Sequence, residues 1–127
     1  MSLDKEKKDR SYQFGRLLAV MEQGARDTYT DEGREPNAIR MQSVFCDRPL
    51  YTAKIINDRL NPYFERLRPG SRAYYKKLIG EITEQLSNYD DAQLNRPLGD
   101  TYLMGYYLQR NELYTSKSNE TKEEIEE

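Results

Sequence analysis

At 127 residues the chain suits one domain with one modest core. It is polar for a globular domain, 36% hydrophobic and 33% charged, with 11 tyrosines, no histidine and one cysteine, Cys46. These totals exclude an internal disulfide, a histidine base and a histidine metal ligand, and no apolar run approaches the ~18 residues of a membrane span, so a cytoplasmic protein without membrane contact is expected.

Residues 1–10 form a charged lead-in without the apolar stretch of a signal peptide, and Met1-Ser2-Leu3 looks like an expression scar. The first helix is expected from Ser11, its N-cap, to about Asp27, because Phe14, Leu17, Leu18, Met21 and Ala25 share one helical face. Thr28 to Pro36 carries the breakers Asp31, Gly33 and Pro36, and a short helix is expected over Asn37–Cys46. Pro49 suits the first turn of the next helix, whose Ala53, Ile56, Leu60, Phe64 and Leu67 are spaced 3, 4, 4 and 3. Pro62 predicts either a kink there or a fresh helix start capped by Asn61. Pro69-Gly70 predicts a turn, after which Ser71 caps a helix with Tyr75, Leu78, Ile79, Ile82, Leu86 and Tyr89 on one face. Asn88–Pro97 is a connector with about one turn at Ala92-Gln93-Leu94.

The last helix is expected from Leu98 or Asp100 to Leu113, and its all-round apolar stretch Tyr102–Leu108 predicts a central, well-surrounded helix. Residues 116–127 are acidic and polar and are expected to be disordered. No segment alternates as a strand would. The expectation is therefore all-α: a compact bundle of four main helices plus one or two short ones, occupying residues 11–115.

Two runs near the ends resemble each other: Tyr12-Gln13-Phe14-Gly15-Arg16-Leu17 and Tyr102-Leu103-Met104-Gly105-Tyr106-Tyr107. A glycine inside a helix costs ~1 kcal/mol relative to alanine, so a close backbone approach is the expected compensation. Gly15, Gly105, Tyr106 and Tyr107 are accordingly expected to build the scaffold, the alternative being that the glycines face a partner protein.

The net charge of -2 conceals a strong asymmetry. From Arg34 to Lys77 there are ten basic and four acidic residues, a balance of +6, whereas residues 78–116 carry -4 and residues 117–127 carry -3. Candidate nucleic-acid contacts are Arg40, Arg48, Lys54, Arg59, Arg66, Arg68, Arg72, Lys76 and Lys77, with Tyr51, Tyr63 and Tyr74 interleaved as stacking candidates. The plainer alternative is a solvated face paired with Glu65, Glu81 and Glu84. Asp90-Asp91 and Glu123-Glu124 are adjacent pairs that diverge on a helix, and Cys46 lacks a histidine to activate it. No catalytic residue, metal ligand or cofactor is expected.

Four segments then occur in one order: Tyr12 to Leu17, Arg40 to Pro49, Tyr74-Tyr75-Lys76-Lys77-Leu78-Ile79-Gly80-Glu81-Ile82, and Gly105-Tyr106-Tyr107-Leu108-Gln109-Arg110. Over residues 11–112 they resemble the C-terminal region of the large subunit of the type I-C CRISPR surveillance complex, Cascade. The resemblance implies a helical bundle that is also made separately, from an internal translation start, as the small subunit. It implies a protein without nuclease activity. The implied partners are the Cascade backbone and large subunits, another copy of itself, and the target or displaced DNA strand of an RNA-guided R-loop. Gln42–Cys46 departs from the small-residue stretch of that family. The alternative from the residues alone is a structural protein–protein adaptor with no nucleic-acid contact.

Overall fold

A computed structural model describes the backbone of residues 3–29, 42–65 and 67–126. Among these are six helices and no strand. They are α1 (Arg10–Tyr29), α2 (Gln42–Asp47), α3 (Pro49–Phe64), α4 (Pro69–Leu86), α5 (Asp91–Leu94) and α6 (Thr101–Glu126). The all-α bundle with four long helices is thus the observed fold. Residues 37–41 of the expected second helix lie outside the described residues.

Local chemistry sets the helix starts, and those of α1 and α4 differ from expectation. The cap of α1 is Asp9, whose carboxylate accepts from the Tyr12 backbone N–H at 3.1 Å. Ser11 instead lies in the first turn, and its hydroxyl accepts from Gly99 N–H at 2.8 Å. α3 runs through Pro62 without restarting and ends two residues later; the bond forgone is the one an N–H at position 62 would donate to the Asp58 carbonyl. Pro69 is the first residue of α4, after Arg68 with φ -56° and ψ 143° and no side-chain cap, so Pro69-Gly70 starts the helix and Ser71 lies inside it. The connector helix α5 forms where expected. Asp90 and Gln93 close a capping box, Gln93 N–H to Asp90 Oδ1 at 2.8 Å and Asp90 N–H to Gln93 Oε1 at 3.1 Å.

The centre of the bundle is α1, not α6. Every residue from Ser11 to Ala25 is buried. α6 packs along one side of α1, while α4 and α3 pack on the rest. The polar members of α1 are tolerated because most of their polar atoms find partners, although Arg16 Nη2 is buried without one. Arg16 donates to Gln109, and Glu22 accepts from the Tyr106 hydroxyl. Among the α6 side chains described, residues 101–115, one row is buried: Tyr102, Gly105, Tyr106, Gln109 and Leu113. Leu103 keeps 54% of its surface exposed and Tyr107 53%. Tyr107 therefore stands outside the scaffold row, its ring edge-on to that of Tyr106 at 5.1 Å. Beyond Leu113, where the helix was expected to end, α6 continues to Glu126.

The two glycines mark the crossing of α1 and α6. A Cβ added to Gly15 would fall on the Tyr102 carbonyl oxygen and 2.8 Å from Tyr106 N. One added to Gly105 would fall on the Tyr12 carbonyl oxygen and 2.8 Å from its carbon. Around this crossing an aromatic cluster fills the core. Phe45 meets Phe14 edge-on at 5.9 Å and Tyr102 at 6.3 Å.

Burial first, then the Cys46 contact, raises the ionisation of the Tyr102 hydroxyl above its ordinary value; burial, then the Glu22 hydrogen bond, does the same for Tyr106. Both hydroxyls keep their protons in the fold at a pH where the unfolded chain loses them. Stability contributed by each is intact below pH ~10 and is lost as pH rises above it, at ~1.4 kcal/mol per pH unit per tyrosine. Denaturant melts between pH 9 and 11.5 should show this decline. Tyr106→Phe should make the decline shallower. An equal slope in that variant would overturn the assignment.

Candidate nucleic-acid interface

The turn between α3 and α4 gathers part of the basic middle. Arg68 precedes α4, and Arg72 and Lys76 follow at four-residue steps, so the three form a column along one face of the helix. The Arg72 backbone N–H bonds the Arg68 carbonyl at 2.9 Å, which locks the start of the column into the helix. Glu65, at the end of α3, faces this column. Arg72 Nη1 lies 3.2 Å from Glu65 Oε2, and Lys76 Nζ lies 3.8 Å from Glu65 Oε1. The carboxylate is 65% exposed and Lys76 55%, so these contacts are water-screened and worth little in stability. Electrostatically, one acid sits among three cations and leaves the column net positive.

The remaining candidates are not drawn into the column. Arg48 is exposed at the α2–α3 junction, Lys54 and Arg59 are exposed on α3, and Lys77 is exposed on α4 beside Lys76. Arg40 and Arg66 lie outside the described residues. Of the stacking candidates, Tyr51 is 56% exposed and anchored by its backbone N–H to Asn95 Oδ1 at 3.1 Å. Tyr74 is half-buried and packs its ring on Tyr75 at 5.6 Å, so it offers no open face comparable to Tyr51. The side chain of Tyr63 lies outside the described residues.

Lys54 also edges a cleft of about 320 Å³. α3 and α4 meet at the Phe64–Tyr75 ring pair, 6.3 Å apart, and α1 floors the space between them with Phe14, Leu17 and Met21. The lining is apolar apart from Lys54, Asn57, Thr83 and Ser87. It continues the core of the bundle outward between α3 and α4.

Two arginines outside the basic middle do structural work. Arg10 donates to the carbonyls of Arg96 (2.7 Å) and Pro97 (2.9 Å), fastening the connector to α1. Arg16 is fully buried. No periodicity signal foretold the latter, since an arginine in an amphipathic helix reads as surface. Also missed was a second exposed row on α6, comprising Leu103, Tyr107, Arg110 and Tyr114. Its signal was present as apolar residues left over once one face of α6 had been assigned to the core.

No helix among the described residues is long and apolar enough to cross a membrane. A family model described as CRISPR-associated protein (Cas_Csd1) matches residues 1–114. No curated protein matches the chain.

Proposed function

The chain belongs to the CRISPR-associated protein (Cas_Csd1) family, and from that premise we propose that it is a non-catalytic small-subunit module of a type I-C Cascade surveillance complex. In this role it supports assembly with the backbone and large subunits. It holds single-stranded target or displaced DNA during R-loop formation through its basic face. Sequence recognition is left to guide pairing, so the subunit needs only a surface that follows phosphates. The observation carrying the proposal is the Arg68–Arg72–Lys76 column, which keeps a positive excess over Glu65. A non-enzymatic role fits the absence of histidine and the dispersal of the carboxylates along the chain.

The test is a salt series of single-stranded DNA binding by the assembled complex, with Arg68→Glu, Arg72→Glu and Lys76→Glu combined. Affinity should fall, and the slope of log affinity against log salt should flatten by about 2, at ~0.7 per lost phosphate contact on a single strand. Unchanged affinity and slope would sink the proposal. Complex assembly intact with no DNA binding by the wild-type subunit face at any salt would favour the protein adaptor instead.

A further inference from the structure

Among the described residues, two buried side-chain nitrogens have no hydrogen-bond partner: Arg16 Nη2 and Gln109 Nε2. Both residues are fully buried. They stand side by side, because Arg16 Nε donates to Gln109 Oε1 at 2.9 Å. The glycine crossing brings them together. Arg16 follows Gly15, and Gln109 lies one turn beyond Gly105, so the close approach of α1 and α6 sets the two polar side chains against each other inside the bundle. The groups left over are all of one kind. Each of the two nitrogens carries two N–H groups, so four donors lack an acceptor. The acceptors beside them are already engaged. Gln109 Oε1 takes Arg16 Nε, Gln13 Oε1 takes Arg16 Nη1, and the Lys5 carbonyl takes both Arg16 Nη1 and Gln13 Nε2.

The charge is unbalanced as well. The hydrogen-bond partners of the Arg16 guanidinium are two side-chain amides and a backbone carbonyl, all neutral. A fully buried charge ordinarily has a counter-charge against it. Glu112, Glu81 and Asp4 act on Arg16 through space without bonding it, and Glu112 is itself paired with Lys5 at 3.1 Å. A water molecule would accept from two of the spare donors but would add two O–H donors of its own. A monovalent anion brings acceptor capacity, no donor and the missing negative charge. The guanidinium has no exposed surface, so a phosphate on a nucleic-acid strand cannot reach it, and the ligand must be small. We infer that Arg16 Nη2 and Gln109 Nε2 form an internal site for a monatomic anion of the chloride class, which acts as the counter-ion of Arg16 and ties α1 to α6. The ion enters past residues 3–9, whose Lys5–Glu112 pair is partly exposed and so held weakly. The site is independent of the nucleic-acid proposal, which concerns the α3–α4 side.

Thermal melts of the full chain test the site, with sodium chloride exchanged for sodium gluconate at constant ionic strength. The wild-type melting temperature should climb with chloride, by about 4 °C for each tenfold rise once the site is mostly filled. Gln109→Glu sets a carboxylate against the guanidinium in place of the amide, so the chain supplies its own counter-charge. That variant should melt higher than wild type in the absence of chloride and lose most of the chloride response. Arg16→Met should lose the response too, from a lower starting temperature. Crystals of the wild type grown in sodium bromide give a measurement that needs no variant. An anomalous peak in contact with both nitrogens is expected. A wild-type melting temperature indifferent to chloride overturns the inference. An equal chloride response in Gln109→Glu does the same, since it would place the effect on the surface. So does a water at the two nitrogens in the bromide crystals, with no anomalous signal.

Discussion

Gly15→Ala is expected to destabilise the fold by ~2 kcal/mol, and Gly105→Ala to do the same. Helix propensity alone predicts the opposite, a gain of ~1 kcal/mol for each. The sign reverses because the added methyl meets backbone, not side chain. At Gly15 it collides with the Tyr102 carbonyl and stands 2.8 Å from Tyr106 N; at Gly105 it collides with the Tyr12 carbonyl. A side chain can rotate aside, but a helical carbonyl cannot without the whole helix moving. α1 and α6 must separate, and the contact between Phe45 and the Tyr102 ring at 6.3 Å opens with them. An overpacking penalty of ~3 kcal/mol, less the propensity gain, leaves the stated loss. The double variant should cost less than the sum, since helices already parted by one methyl accommodate the second. Gly80→Ala is the internal control. Its Cβ meets nothing within 4 Å, so it should stabilise by the full propensity term of ~1 kcal/mol. Urea unfolding followed by circular dichroism separates the two outcomes. A shift of Gly15 and Gly80 variants in the same direction would refute the close crossing.

Arg16→Met is expected to cost ~3 kcal/mol, although methionine matches the arginine stem in length and α1 is a buried helix. The guanidinium is fully buried and works as a fork. Nε donates to Gln109 Oε1 at 2.9 Å, and Nη1 to Gln13 Oε1 at 2.8 Å and to the Lys5 carbonyl at 3.1 Å. Burial holds its ionisation below the ordinary arginine value. It remains a cation at any pH where the protein folds, because arginine titrates so high. Removing the fork takes the donor from Gln109 Oε1 and Gln13 Oε1, each worth ~1–3 kcal/mol when buried, while the Lys5 carbonyl still accepts from Gln13 Nε2 at 3.5 Å. Relief of the buried charge offsets part of that. Lysine should rescue only partly, since an ammonium cannot reproduce a planar fork.

The same contact fastens residues 3–9 over the α1–α6 crossing. Lys5 bridges Glu112 at 3.1 Å, and Gln13 Nε2 donates to the Lys7 carbonyl at 2.8 Å. Arg16→Met should therefore speed tryptic cleavage after Lys5, Lys7 and Lys8 relative to wild type. A variant equal to wild type in both urea midpoint and cleavage rate would show that the fork is dispensable.

Much of the fold was legible because helical periodicity is local. Tyr75, Leu78, Ile82 and Leu86 announced the buried face of α4, and the same residues are buried in the structure. Asp90 and Gln93 sit three apart and cap each other, a signal contained in four residues. The cation column was legible as an i, i+4 pattern. Its pairing with Glu65 depended on how the α3–α4 turn folds back. Pro69 shows how a local signal can point two ways, since proline opens turns and first helical turns alike.

The choice of central helix was not legible, and the reason is physical. Hydropathy ranks α6 as the interior helix because Tyr102–Leu108 is apolar all round, and it ranks α1 lower because Gln13, Arg16, Glu22 and Gln23 interrupt it. Burial is decided by whether a polar group finds a partner, and those partners stand far away in the chain. Arg16 bonds a residue 93 positions on, and Glu22 one 84 positions on. Residue pattern alone settled that this chain is helical and that cations line α4, and it left a close helix crossing as the favoured role of the two glycines. Packing settled which helix the others surround, and so left the second apolar row of α6 facing outward. Pattern records what each residue prefers; only the assembled neighbours determine whether that preference is met.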